Sequence, residues 1–132
     1  MKHIKITELR TIEEMKETHS LLSILYPKNF SMKKYIELLK SMTSGNYRQI
    51  VAQDGQRIVA VAGLSINTKI WSGRYMDMDH VVVDRDYRGM GIGKQLLSYT
   101  RELCNKEECQ ILSCDVYSEN FSAQRFYMNE GF

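Results

Sequence analysis

Val81-Val82-Val83-Asp84-Arg85-Asp86-Tyr87-Arg88-Gly89-Met90-Gly91-Ile92-Gly93-Lys94 is the stretch on which the reading of this chain turns. A β-branched apolar run stops at a short charged turn, and glycines follow at alternate positions. A helical pattern then begins, with Ile92, Leu96, Tyr99 and Leu103 on one face and Leu97 and Cys104 widening it. A strand that ends on a glycine turn and opens a helix makes a site for a phosphate. The first N–H groups of a helix have no partners within it, and the macrodipole places positive potential there. Glycine lets a ligand approach the main chain with no Cβ in the way.

Two common phosphate motifs do not close on these residues. The dinucleotide fingerprint requires G-x-G-x-x-G, whereas the spacing here is Gly89, Gly91, Gly93. The P-loop requires G-x-x-x-x-G-K-[ST]. Here Gln95 follows Gly93-Lys94, and Arg88 stands where the first glycine belongs.

A third pattern does close. Arg88-Gly89-Met90-Gly91-Ile92-Gly93 reads as [Q/R]-x-x-G-x-[G/A]. It resembles the acetyl-CoA diphosphate loop of the GNAT superfamily of N-acetyltransferases. Downstream, Asn120-Phe121-Ser122-Ala123-Gln124-Arg125-Phe126-Tyr127-Met128-Asn129-Glu130-Gly131-Phe132 resembles the N-x-x-A-x-x-F-Y-x-x-x-G-F segment of the same family. The two motifs stand in the family's order, separated by a helix and a strand. The resemblance covers residues 74–132; residues 1–73 match in their succession of elements.

Outward from the loop, the pattern gives the remaining elements. Ile4 and Ile6 alternate with polar residues and predict an edge strand near residues 3–9. Thr11-Ile12-Glu13-Glu14 is a capping box, followed by Ile12, Met15, His19 and Leu22 at helical spacing. A second helix starts near Ser31, with Met32, Tyr35, Ile36, Leu39 and Met42 as its stripe, and ends at Gly45-Asn46. Asp54-Gly55 predicts a hairpin between strands at 49–53 and 57–64. A further strand is expected at 74–83 and a short buried one at 110–116. Asn120 is the expected N-cap of a last helix that closes at Gly131. The order β-α-α-β-β-β-α-β-α predicts one α+β domain over residues 1–132, an antiparallel meander passing into a parallel β-α-β crossover. That is the mixed sheet which the resemblance implies.

The family pattern continues past Gly131-Phe132 with one or two further strands. The chain is therefore expected to be truncated relative to that pattern, leaving the 110–116 strand as an edge. An exposed apolar edge invites association. A homodimer near the C-terminal sheet edge is one expected cover.

Composition narrows the classes. The 132 residues, 43% of them hydrophobic and 26% charged, suit one ordinary globular core. A net charge of +2 with scattered basic residues argues against a nucleic-acid partner. No run of 18 apolar residues predicts a membrane span, and Met1-Lys2-His3-Ile4-Lys5-Ile6 is not a secretory signal. Cys104, Cys109 and Cys114 are odd in number, which favours reduced thiols and a cytoplasmic setting. Their C-x4-C-x4-C spacing fits no common zinc pattern, so no metal is expected.

The chemistry follows from the resemblance together with the residues. Main-chain N–H groups of Arg88, Gly89, Met90, Gly91, Ile92, Gly93 and Lys94 are expected to cup the diphosphate of acetyl-CoA. The charges of Arg88 and Lys94 add to this, each phosphate contact contributing about 1–3 kcal/mol. The resemblance places the pantetheine arm and the thioester oxygen along the backbone of Val81, Val82 and Val83. A backbone N–H there would act as oxyanion stabiliser. Asp77 and Asp79 lie at i, i+2 on one strand and so on one face, with Val81 beside them and His80 on the opposite face. Two neighbouring carboxylates raise each other's pKa, which suits a general base. Asp79 is the first choice and Asp77 the second. His80 is set aside as a structural histidine. The resemblance assigns Tyr127 as proton donor to the departing thiolate and lets Asn120 touch the cofactor arm.

The expected activity is direct transfer of acetyl from acetyl-CoA to a primary amine, on a small molecule or a peptide. The acidic pair favours a cationic acceptor such as a polyamine, an aminoglycoside or a peptide amine. The alternative is a catalytically impaired CoA-binding module that serves as a sensor or acts through a partner. A nucleotide-binding protein comes third, since both nucleotide fingerprints are incomplete.

Overall fold

Asp54-Gly55 turns the chain where the dipeptide predicts, with Gly55 at φ +62°. The computed structural model describes residues 3–114 together with 125, 128, 130 and 131. In it, β2 (Tyr47–Asp54) and β3 (Arg57–Lys69) form the hairpin. Both strands run further than the apolar run alone suggests. The polar end of β3, Ser65 to Lys69, is held by pairing with β4 (Gly73–Val83) rather than by burial. β1 (Ile4–Leu9) adds antiparallel to β2, and β5 (Ile111–Cys114) adds parallel to β4. The five-stranded order is β1-β2-β3-β4-β5, so the meander passes into a parallel pair and β5 is the last strand in the described order.

Helices cover both faces. α4 (Ile92–Lys106) packs on one face, burying Ile92, Leu96, Leu97, Thr100, Leu103 and Cys104. It meets Ile50, Ala60, Leu64, Met76 and Met78 in one core. The other face carries α1 (Ile12–Met15), α2 (His19–Leu25) and α3 (Met32–Thr43). These enclose Met15, Leu22, Tyr35 and Leu39 against Val51, Val61 and Val82. Burial at about 25 cal/mol per Å² of apolar surface makes these two layers the main stabilising term. No described helix is long and apolar enough to cross a membrane.

Two local expectations are corrected. The single first helix is broken by a 3₁₀ turn, Lys16–Thr18, which rotates the chain so that Thr18 and Leu21 are buried with Met15 and Leu22. Met32, expected on the buried stripe of α3, is 38% exposed because it occupies the first turn, beyond the edge of the sheet-facing layer. The capping box at Thr11 and Glu14 forms as expected, and Ser31 Oγ caps α3 by accepting from Lys34 N.

One irregularity in the sheet sets up everything that follows. Val61 pairs with Val82 and Gly63 with Asp79, so Ala62 alone faces two residues of β4, His80 and Val81. This is a β-bulge, and one extra residue reverses the facing of the strand beyond it. Met76 and Met78 point into the α4 core before the bulge; Val81 and Val83 do so after it, while Val82 joins the opposite layer. His80, the inserted residue, sits at φ +36°.

Candidate functional site

The bulge puts His80 on the same side as Asp79, under α2 and α3. That corrects the alternation expected from sequence, in which His80 and Asp79 oppose each other. Gly63 makes the arrangement possible. A Cβ at that position would lie 2.2 Å from both Cε1 and Nε2 of His80 and 2.9 Å from Cε1 of Tyr47. The imidazole therefore lies over the bare backbone of β3, with its side chain only 8% exposed.

The buried edge of the ring is held by a chain of hydrogen bonds. His80 Nε2 lies 2.6 Å from Tyr47 Oη. Gln49 Nε2 donates to both Tyr47 Oη and Tyr35 Oη, each at 2.9 Å. Thr18 Oγ1 is 2.6 Å from Tyr35 Oη and donates to Met15 O at 2.7 Å. Each hydroxyl has one proton to give. The single proton of Thr18 is directed at Met15 O and Gln49 Oε1, so Tyr35 donates to Thr18. Tyr47 accepts from Gln49, and His80 Nε2 is the acceptor within reach of its own proton among the described residues, so Tyr47 donates to His80 Nε2. The count leaves His80 in the tautomer with its proton on Nδ1, facing the Asp79 carboxylate. Gln49 and Thr18 are both 0% exposed, so this pattern is protected from exchange with solvent.

Asp79 closes the site on the solvent side. Its Oδ1 accepts from the His80 main-chain N–H at 2.7 Å, and its Oδ2 lies 3.7 Å from His80 Nδ1. The neighbouring imidazole holds the Asp79 carboxyl below the ordinary carboxylate range, and the His80 backbone N–H adds to this against an opposing effect of burial. The expectation of a carboxylate raised by its neighbour is thus overturned. Asp77 points to a different role: its Oδ1 accepts from Ser113 Oγ at 2.9 Å, tying β4 to β5. It is not among the described residues that line the cavity at Asp79. Burial raises the Tyr47 phenol well above its ordinary value, which keeps it a neutral donor.

Above Asp79 and His80 opens a cavity of about 340 Å³ between α2, α3 and the sheet. Tyr26, Phe30, Leu38 and Met42 form much of its wall. Phe30 is fixed by stacking on His19 at 4.9 Å, and His19 Nε2 bonds Phe30 O at 2.7 Å.

The glycine turn lies at the other end of the same strand segment. Val81, Val82 and Val83 connect the bulge to the turn, and the described β4–β5 ladder runs only from Tyr75 to Met78. Tyr87 anchors the turn from below: it is 4% exposed, and its hydroxyl donates to Asp54 Oδ2 at 2.6 Å. Arg88 Nε donates to Val83 O at 3.2 Å. Gly89 and Gly91 both stand at φ +79°, and an added Cβ would meet nothing within 4 Å at either. Gly91 is the left-handed N-cap of α4, with no side chain capping the first turn. Backbone N–H groups at a helix start, in a turn open to solvent, fit an anionic group such as a diphosphate. Met90 is 51% exposed and Ile92 is buried in the α4 core, so only their main chain can serve there. Lys94 Nζ pairs with Glu130 at 3.4 Å. Asn120 and Tyr127 lie outside the described residues. Among the described residues, no group of three or more His, Cys, Asp or Glu could hold a metal ion.

The sequence reading missed His80, Tyr47 and Gln49. One signal was present: Gly63 inside an otherwise apolar strand pattern, which marks a bulge or a close approach.

Comparison with known proteins agrees with this architecture. The sequence profile of the acetyltransferase (GNAT) family matches residues 15–132. Among curated proteins, none matches the chain. Among solved structures, an aminoglycoside N-acetyltransferase in complex with CoA superposes with a TM-score of 0.87 at 17% identity, over 100% of this chain and 89% of that one. Glucosamine-6-phosphate N-acetyltransferase from Arabidopsis thaliana gives 0.77 at 22% identity, over 99% and 92%. A transcriptional regulator from Bacillus halodurans C-125 gives 0.84 at 22% identity, over 98% and 93%. These likenesses establish the shared fold, and the profile establishes the family: the chain belongs to the GNAT acetyltransferases.

Proposed function

We propose that this chain transfers acetyl from acetyl-CoA to a primary amine by direct attack, in a cytoplasmic setting. The observation that carries the reading is the bulge in β4. It gathers an ionised carboxylate and an imidazole at the floor of an open cavity, immediately before the strand segment that leads to the glycine turn.

Acetyl-CoA supplies an acetyl group already activated as a thioester. The residues divide the remaining work. Main-chain N–H groups from Gly89 to Lys94 hold the diphosphate, with the Arg88 guanidinium adding charge. By the same resemblance, the pantetheine arm would run along Val81, Val82 and Val83, where a main-chain N–H would meet the thioester oxygen. The Asp79 carboxylate, held ionised, receives the ammonium of the acceptor and orients its nitrogen. The Asp79 carboxylate takes the first proton that the ammonium must lose, and His80, with Nδ1–H facing Asp79 and Nε2 held by Tyr47, positions that carboxylate. As the new C–N bond forms and the C–S bond breaks, Tyr127, in the role that the family resemblance assigns to it, would give its phenolic proton to the sulfur, and the second proton shed by the nitrogen restores the phenol through solvent.

Thiol release from acetyl-CoA in the presence of primary amines tests the proposal. Amine-dependent release that Asp79→Asn lowers at least ~100-fold, with CoA affinity unchanged, supports it. CoA binding with no amine-dependent release would mark a binding module acting as a sensor instead.

A further inference from the structure

The walls of the cavity restrict what the acceptor can be, on the reading that this cavity receives the amine. Asp79 is the one carboxylate among its described lining residues. Asp77, which would have doubled the negative charge, is turned to Ser113 at the β4–β5 junction. Lys28, exposed at the rim, places a positive charge opposite. A second or third ammonium on the acceptor would therefore find no described acidic partner and would meet a like charge. Apart from Asn29 and His80, the rest of the described wall is aromatic and aliphatic. Tyr26 and Phe30 meet edge to face, with ring centroids 5.8 Å apart. Leu38, 40% exposed, and Met42 face them across the cavity. The volume of about 340 Å³ lies near the small end of the usual range for ligand pockets. Apolar rings around a single ionic anchor recognise an amphipathic monocation, and they recognise it through shape and apolar contact rather than through many charges.

We infer that the acceptor is a primary monoamine borne on a compact apolar body, its single ammonium on Asp79 and its body between the Tyr26–Phe30 rings and the Leu38–Met42 wall. A polyamine or an aminoglycoside does not suit this cavity, which narrows the cationic acceptors expected from sequence.

The experiment measures both turnover and binding for 2-phenylethylamine, spermidine and kanamycin. Turnover is read as kcat/KM for thiol release with acetyl-CoA. Binding is read from NMR shifts of the His80 ring in the CoA-loaded protein. 2-Phenylethylamine is expected to exceed both polycations at least ~10-fold in kcat/KM and to shift the His80 resonances saturably. Leu38→Glu adds a second carboxylate at an exposed helical position, where the fold is little affected; it should move the ratio toward spermidine by ~10-fold or more. Thiol release with kanamycin or spermidine but not with 2-phenylethylamine overturns the inference and leaves acetyl transfer standing. Saturable binding of 2-phenylethylamine without thiol release from any amine supports the monoamine site and overturns the transferase reading. Neither binding nor turnover of 2-phenylethylamine overturns the inference outright.

Discussion

Gly63→Ala is the smallest change that tests how the site is built. The added Cβ would lie 2.2 Å from two atoms of the His80 ring, at least ~1 Å inside ordinary contact distance. Gly63 has no positive φ, so alanine brings crowding without backbone strain. The ring cannot simply retreat. Tyr47 holds its Nε2 edge at 2.6 Å, and a bulged backbone at φ +36° fixes its origin. Relief therefore requires the imidazole to leave Tyr47 and move toward the cavity. Overpacking costs about 1–3 kcal/mol, and the abandoned buried hydrogen bond about 1–3 kcal/mol more. The expected loss of stability is thus ~2–6 kcal/mol, accompanied by loss of amine-dependent thiol release. Urea denaturation of Gly63→Ala, His80→Ala and the double variant isolates the cause. With the ring absent, the alanine meets far less, so most of its cost should vanish and the coupling energy should exceed ~1 kcal/mol. An alanine that costs the same in both backgrounds, or a fully stable and active Gly63→Ala, would refute the reasoning.

Four further outcomes follow from the same geometry. Gly91→Ala places a side chain at φ +79° and should cost about 1–2 kcal/mol from left-handed strain, while weakening CoA at least ~10-fold by calorimetry; undiminished CoA affinity would count against the cradle. Gln49→Leu strips the donors from Tyr35 and Tyr47 and should cost about 1–3 kcal/mol. In the wild type, nitrogen NMR of the His80 ring should show the proton on Nδ1, and a proton on Nε2 would reverse the whole hydrogen-bond assignment. Asp79 has a folded-state pKa below its unfolded value, so the stability it contributes is complete above the ordinary carboxylate range and is lost as pH falls through the depressed value. Urea midpoints from pH 7 down to pH 2 should therefore fall less steeply for Asp79→Asn than for the wild type, and equal slopes would contradict the His80–Asp79 contact.

Much of the architecture was legible from local chemistry. Asp54-Gly55 marked the hairpin, Thr11 with Glu14 marked a helix start, and the β-branched run before Gly89 placed the strand-to-helix turn. The layer assignment of α4 was readable because its stripe has a clean helical period. The site was less legible, because a bulge is a relation between two strands and alternation in one strand cannot show it. Counting by twos from Asp77 put His80 on the wrong face and paired two carboxylates whose side chains meet different partners, Ser113 for Asp77 and His80 for Asp79. Tyr47 and Gln49 sit on β2, two strands from the glycine turn in the order of the sheet, and only the sheet brings them to His80. Gly63 alone announced that something large crosses β3.

The proposed division of labour has the glycine turn hold the carrier of the acetyl group while the bulged strand presents the acceptor beside it. An amide-resolved NMR titration with CoA tests this most directly. The account predicts the largest shifts at Gly89, Gly91, Gly93 and Lys94, continuing through Val81–Val83 to His80. Saturable CoA binding with those amides unmoved, or no binding at millimolar CoA, would contradict it.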